Sequence, residues 1–117
     1  MLLLLSPAKS LDYETVLPPQ PHTAPLFVKQ SQFLIALLRQ RSPQDIAALM
    51  SLSDKLAALN VMRYLGWSSR ATPKNARQAV LAFDGDVYDG LNARSLTEAD
   101  LTWAQSHLCI LSGLYGV

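Results

Sequence analysis

Met1-Leu-Leu-Leu-Leu5 runs straight into Ser6-Pro7-Ala8-Lys9, and Leu108-Cys-Ile-Leu111 runs straight into Ser112-Gly-Leu-Tyr-Gly116. These two stretches decide the fold. Neither apolar run alternates with polar residues, so each reads as a strand covered on both faces, the pattern of central strands in a sheet flanked by helices. What lies between them reads as helix and turn. The expected class is mixed α/β: buried strands at 1–5 and 108–112, separated by several helices, in part of a larger single-sheet fold cut short. Two strands do not make a self-sufficient sheet.

Working outward, the opening run is not an export signal, because no basic segment precedes it and Ser6-Pro7 ends it after five residues. It is also far below the roughly 20 residues that a membrane span needs. Residues 17–25 contain four prolines and read as an exposed connector. Phe27, Phe33, Leu34, Leu37 and Leu38 then recur at helical spacing and predict an amphipathic helix to about Arg41. Ser42-Pro43 is an N-cap with proline at the first helical position, opening a short helix through Met50. Ser53-Asp54 starts another, with Leu56, Leu59, Met62, Tyr64 and Leu65 as its apolar positions and Gly66 as its stop. Thr72-Pro73 repeats the cap signature and predicts a helix through about Ala82. Asp84-Gly-Asp-Val-Tyr-Asp-Gly90 is rich in turn formers, and Thr97-Glu-Ala-Asp100 opens a last helix with carboxylates where the helix dipole favours them.

The 117 residues allow one domain of ordinary size, and 50% hydrophobic against 16% charged residues excludes a disordered chain. A single cysteine excludes a disulfide framework and a cysteine-rich zinc site. His22 and His107 read as surface or capping residues, Cys109 as a small apolar strand residue, and Trp67 and Trp103 as packing residues. No cofactor and no metal site is expected. With no leader and one free thiol, the cytoplasm is the expected compartment.

Two places have chemistry. If the two strands are parallel neighbours, Ser6 to Lys9 and Ser112 to Gly116 leave the sheet at its carboxyl edge, where open α/β sheets bind ligands. Lys9 supplies a compact positive charge there, Ser6 and Ser112 hydroxyls, and Gly113 and Gly116 backbone open to close approach, a set suited to a phosphate. The alternative is that serine and glycine simply make turns. The arrangement is not a P-loop, since no Gly-x-x-x-x-Gly-Lys-Ser/Thr occurs. Asp84, Asp86 and Asp89 do not fit a calcium loop, because the later glycine and glutamate it requires are wrongly placed. They read as turn formers, or with Tyr88 and Gly90 as a pocket wall.

The second place is a basic stretch. The formal charge is only +1, yet between Lys55 and Phe83 there are five bases, Lys55, Arg63, Arg70, Lys74 and Arg77, and no acid. These are candidate phosphate contacts that would bind double-stranded DNA without reading its sequence. The helical hairpin at about 43–65 would present helix N-termini and Lys55 to such a backbone, although its Ser51-Leu-Ser53 connection lacks the usual glycines, and plain helix packing is the alternative.

Met1-Leu-Leu-Leu-Leu-Ser-Pro-Ala-Lys-Ser-Leu-Asp12, Ser53-Asp-Lys-Leu-Ala57, Asn75-Ala-Arg-Gln-Ala79, Phe83-Asp-Gly-Asp-Val-Tyr88 with Gly90-Leu91, and Leu111-Ser-Gly-Leu-Tyr-Gly-Val117 together resemble the YaaA family of bacterial peroxide-stress proteins. The five motifs keep their order along the whole chain. Family members are more than twice as long, so residues 1–117 are expected to be the N-terminal portion of one YaaA-like domain. The resemblance implies a cytoplasmic protein that limits free intracellular iron and binds DNA through a positively charged cleft and a helix-hairpin-helix-like element. It implies no established reaction. Ser6, Lys9, Asp12, Asp54, Tyr88, Ser112, Gly113 and Tyr115 carry its motifs and are taken together as the expected anion pocket. The competing readings are an enzyme or binder of a phosphate-bearing small molecule, and direct iron binding through Asp84, Asp86 and Asp89. The sequence specifies no oligomeric state.

Overall fold

A computed structural model describes all of residues 1–117. In chain order the elements are β1 (Leu3–Leu5), β2 (Ser10–Leu11), α1 (Val28–Leu38), α2 (Pro43–Met50), α3 (Asp54–Gly66), α4 (Ala79–Ala82), β3 (Phe83–Asp84), α5 (Asp86–Leu91), a 3-10 turn (Ala93–Ser95), α6 (Glu98–His107) and β4 (Leu108–Ile110). The mixed α/β class holds. The chain divides into two compact units, one formed by residues 1–26 with 72–117 and the other by residues 27–71.

In the discontinuous unit, β1 and β4 pair in parallel with Leu3 opposite Leu108, Leu4 opposite Cys109 and Leu5 opposite Ile110. The Leu111 amide donates to the Leu5 carbonyl at 2.9 Å, carrying the ladder one step further. β2 and β3 pair separately and antiparallel, Ser10 opposite Asp84 and Leu11 opposite Phe83. One continuous sheet was expected; the strands instead form two two-stranded pairs. Pro7, which has no amide hydrogen, falls between β1 and β2 and ends the first ladder. The strands also lack the expected cover, since Leu4 is 62% exposed and β4 is only half-buried. The buried residues of this unit are Leu81, Ala82, Tyr88 and Ala93.

Two further expectations are corrected here. The cap signature at Thr72-Pro73 makes a single turn, with the Ala76 amide on the Thr72 carbonyl at 2.9 Å and the Thr72 amide on Asn75 Oδ1 at 2.7 Å. It does not propagate, and helix resumes only at Ala79. Between them Arg77 and Gln78 send their side chains to distant carbonyls, which holds the backbone extended. The turn-rich segment at 84–90 forms the short helix α5, entered through Gly85 at φ 151° and ψ 176°, a region open in practice to glycine alone. Trp103, read as a packing residue, is 55% exposed and lies flat on His107, ring centroids 3.9 Å apart. The α6 start is as expected, a reciprocal capping box between Thr97 and Asp100.

In the unit of residues 27–71, all three helices occur where their signals place them, but their packed faces differ. Ser31 and Ile35 are the buried positions of α1, whereas Phe33, Leu34 and Leu37 face outward. Ser31 is accommodated because its hydroxyl donates to the Phe27 carbonyl at 3.1 Å, satisfying the group within its own helix. In α3 the buried position is Ala57, while Leu56, Leu59, Met62 and Leu65 are exposed. Ile46 of α2 is fully buried, and a side chain as small as Ala57 lets paired helices approach closely. The N-terminus of α2 carries a reciprocal capping box between Ser42 and Asp45 with Pro43 at its first position. Ser51, in the left-handed region at φ 52°, turns the chain out of α2, and Ser53 caps α3 by accepting from the Leu56 amide at 3.3 Å.

Candidate functional site

The parallel register of β1 and β4 has the consequence anticipated for it. Ser6 follows Leu5 and Leu111-Ser112 follows Ile110, so both segments leave the pair at one edge. Ser112 closes a tight turn there, its amide donating to the Gly116 carbonyl at 3.0 Å and the Gly116 amide donating to the Ser112 carbonyl at 2.9 Å. Gly116 sits at φ 78°, which explains glycine at that position. The Ser112 hydroxyl oxygen accepts from the Tyr115 amide at 3.1 Å. Gly113 is different: a side chain there would meet nothing within 4 Å, so crowding within this chain does not require glycine. Tyr88, buried on α5, donates its hydroxyl to the Ser6 carbonyl at 2.5 Å and ties α5 to that edge. Burial pushes the Tyr88 hydroxyl pKa upward, so it stays a protonated donor. Lys9 is exposed.

Two residues expected in this pocket have other surroundings. Asp54 belongs to the other unit, in the first turn of α3. Asp12 is the anchor of a side-chain network. Its carboxylate accepts from the Thr15 hydroxyl at 2.6 Å and from the Thr15 and Glu14 amides at 3.0 Å each. It also pairs with the Arg94 guanidinium and lies 3.9 Å from that of Arg77. The Thr15 hydroxyl first, helped by the backbone amides and Arg94, holds the Asp12 carboxyl well below the usual carboxylate range. Beside it lies an open cavity of about 180 Å³ whose walls include Asp84, Tyr88, Asp89 and Arg94. Asp84 and Tyr88 thus form part of a wall, as the sequence allowed, without Gly90. Asp84, Asp86 and Asp89 do not converge into a metal-holding group.

The five candidate phosphate contacts divide between the units. Lys55, Arg63 and Arg70 lie in residues 27–71, Lys74 and Arg77 in the other unit. Arg77 is committed internally: its guanidinium donates to the Thr15 carbonyl at 2.6 Å, the Asp12 carbonyl at 3.1 Å and the Tyr13 carbonyl at 3.5 Å. It therefore shapes the 12–15 loop and has little left to offer a phosphate. Lys55, Arg63 and Lys74 are exposed, with Lys55 at the start and Arg63 in the last turn of α3.

Two arginines were missed by sequence reasoning. Arg39 donates to the carbonyls of Tyr64 (2.8 Å), Leu65 (3.3 Å) and Trp67 (2.7 Å), so a guanidinium from just past α1 caps the end of α3. No local signal announces a contact 25 or more residues away. Arg94 did carry one, as the single base in the acidic run from Asp84 to Asp100.

The division also sorts charge. Residues 27–71 hold six bases and two acids, and the remaining residues hold four bases and seven acids. Both acids of the basic unit, Asp45 and Asp54, sit in first turns of helices.

Comparison with known proteins agrees with this arrangement of motifs. The family model described as "Peroxide stress protein YaaA" matches residues 1–117. A UPF0246 protein of Verminephrobacter eiseniae is 68% identical over 118 residues, covering 100% of this chain and 45% of its own length. UPF0246 proteins of Delftia acidovorans and Bordetella petrii are 67% and 63% identical, with 45% and 46% of their lengths covered. The chain thus spans less than half the length of these relatives. Matched from its first residue to its last, it belongs to the YaaA family of peroxide stress proteins.

Proposed function

We propose that this protein protects the cytoplasm against peroxide by limiting free iron and by binding double-stranded DNA, and that residues 27–71 supply the DNA contact. The observation that supports this reading is the charge division. A near-neutral chain concentrates a net excess of four positive charges in 45 residues, and the two acids there sit at helix N-termini, where they complement the helix dipole. Lys55 and Arg63 stand on the exposed surface of α3, about 12 Å apart along its axis at 1.5 Å per residue. Arg70 and Lys74 follow in sequence. Arg77 drops out of the contact set and acts as scaffold.

The test is fluorescence anisotropy of a labelled duplex across a salt series. The expected result is affinity that falls with salt and is nearly indifferent to sequence, with a slope reduced by about one for each lysine or arginine removed. Changing Lys55 and Arg63 together to Glu abolishes binding at moderate salt. An unchanged affinity and slope in that variant would remove the hairpin from the DNA contact. A companion measurement is peroxide survival and chelatable iron in cells lacking the endogenous relative, complemented with either form.

The parallel register of β1 and β4 favours a second reading, a site for a phosphate-bearing small molecule at their shared edge, built from Ser6, Lys9, Ser112 and Gly113. Phosphate or nucleotides then raise Tm by mass action, and Lys9→Ala removes the rise. Absence of any shift across a panel of anions rejects this site.

A further inference from the structure

The hairpin of α2 and α3 holds a contact that the charge division does not use. Tyr64, in the last turn of α3, donates its hydroxyl to Met50 Sδ at the end of α2, 3.3 Å away. A thioether is a weak acceptor, so the pairing is an unusual use of a phenol proton. The surroundings hold both partners in place. The Tyr64 carbonyl accepts from the Arg39 guanidinium at 2.8 Å. Just past Met50, Ser51 turns the chain in the left-handed region, and the Leu52 amide donates to the Ala47 carbonyl at 3.0 Å. Met50 is nonetheless 45% exposed, so a small solute reaches its sulfur. Burial pushes the Tyr64 hydroxyl pKa upward, against a smaller pull from Arg63, so the donor keeps its proton. A nucleophilic sulfur open to solvent beside a fixed proton donor is what hydrogen peroxide needs in order to give up an oxygen atom.

We propose that Met50 is a peroxide-reactive site, oxidised to the sulfoxide by hydrogen peroxide with Tyr64 as the proton donor. The sulfur attacks the nearer peroxide oxygen with the lone pair that Tyr64 does not engage, and the O–O bond breaks. The farther oxygen, which would otherwise depart as hydroxide, takes the Tyr64 proton and leaves as water. The new sulfur-bound hydroxyl then returns its proton to the Tyr64 oxygen, leaving the sulfoxide. Thioether and hydrogen peroxide thus become sulfoxide and water, the sulfur giving up the electron pair that reduces the peroxide. Peroxide is the stress named for the family whose model matches this chain. Methionine sulfoxide is returned to the thioether by dedicated reductases, so the mark is reversible. The reaction rests on neither the iron nor the DNA reading.

The comparison that tests it is internal to the chain. Met62, also on α3, is 66% exposed and its sulfur receives no hydrogen bond, so access alone makes it the faster of the two. The 117-residue chain is treated with dilute hydrogen peroxide, and the sulfoxide at each position is followed by peptide mass spectrometry. A parallel series uses N-chlorosuccinimide, whose leaving group is a stabilised anion that needs no proton, and which therefore reads access. With peroxide, Met50 is expected to oxidise at least about threefold faster than Met62. With N-chlorosuccinimide, Met62 is expected to lead. Tyr64→Phe keeps the ring and removes the hydroxyl. It is expected to cancel the Met50 advantage with peroxide and to leave the N-chlorosuccinimide order as it was. Met62 leading with both oxidants overturns the proposal, as does a Met50 peroxide rate that survives Tyr64→Phe. Met50 leading with both oxidants overturns it too, since access then explains the order. The two-oxidant comparison on the unaltered chain decides the matter even where Tyr64→Phe fails to fold.

Discussion

Arg39, Arg77 and Arg94 spend their guanidinium groups on this chain's own carbonyls and carboxylates. Arg39→Ala strips three acceptors at the end of α3 of their charged donor. It is expected to cost about 1–2 kcal/mol by urea denaturation, since a hydrogen bond to a charged group is worth more than a neutral one but these lie near water. Arg39→Lys recovers only part of it, because an ammonium cannot fork across the same carbonyls. Asp12 yields a pH prediction. Its carboxyl titrates lower in the folded protein than in the unfolded chain, so the folded state binds fewer protons in acid. The contribution is full above the ordinary carboxylate value near 3.8 and fades as pH falls below it. Asp100, held down by the Thr97 hydroxyl and amide, adds to the same trend. Acid titration of stability followed by circular dichroism is expected to steepen below about pH 4, and Asp12→Asn to flatten part of that slope. The partners of these three arginines could not be read from sequence, because each contact joins residues far apart along the chain, although Arg94 stood out as the single base between Asp84 and Asp100.

At the scale of elements, starts and stops were legible and faces were not. Ser42-Pro43 with Asp45 and Thr97 with Asp100 are contacts three residues apart, and the chain forms them wherever a helix begins. Ser42→Ala and Thr97→Ala are each expected to cost about 1 kcal/mol in thermal or urea unfolding. Which side of α1 or α3 turns inward depends on neighbours, and there Ser31 and Ala57 displaced the larger apolar residues that periodicity favoured. The helix read from Thr72-Pro73 stopped after one turn because a local cap signal lost to the distant partners of Arg77 and Gln78. Gly85 is the converse case, a conformational demand that sequence showed only as turn propensity. A Cβ at Gly85 would meet Ala8 at an ordinary 3.6 Å, so the penalty of Gly85→Ala is one of backbone strain at φ 151° and not of crowding. It is expected to be about 1–3 kcal/mol, again by urea unfolding.

For the whole molecule, the linear sequence placed all five candidate DNA contacts in one basic window, and the fold divided that window at residue 72. The division could not be read in advance because one unit is discontinuous, built from the first 26 and last 46 residues around an inserted one. The same division recruited Lys29, Arg39 and Arg41 to the basic side, none of which the window contained. If that unit carries the DNA contact, changing Lys29 and Arg41 to Gln reduces the salt slope of binding by about one each, whereas Glu98→Gln leaves the slope unaltered. The strand-edge candidates were legible to the extent that two similar apolar runs ended in similar small residues. Asp12 and Asp54, which shared only motif membership with them, were not distinguishable from that set until the hydrogen bonds of Asp12 and the unit holding Asp54 were known.

The pairing of Leu3 with Leu108 sets a timetable for synthesis. At about 5–20 residues per second, some 5–20 s separate the emergence of β1 from that of its partner. The whole of residues 27–71 is synthesised within that interval. Until Leu108 to Ile110 are made, Leu3 to Leu5 remain an apolar run without the strand they pair with.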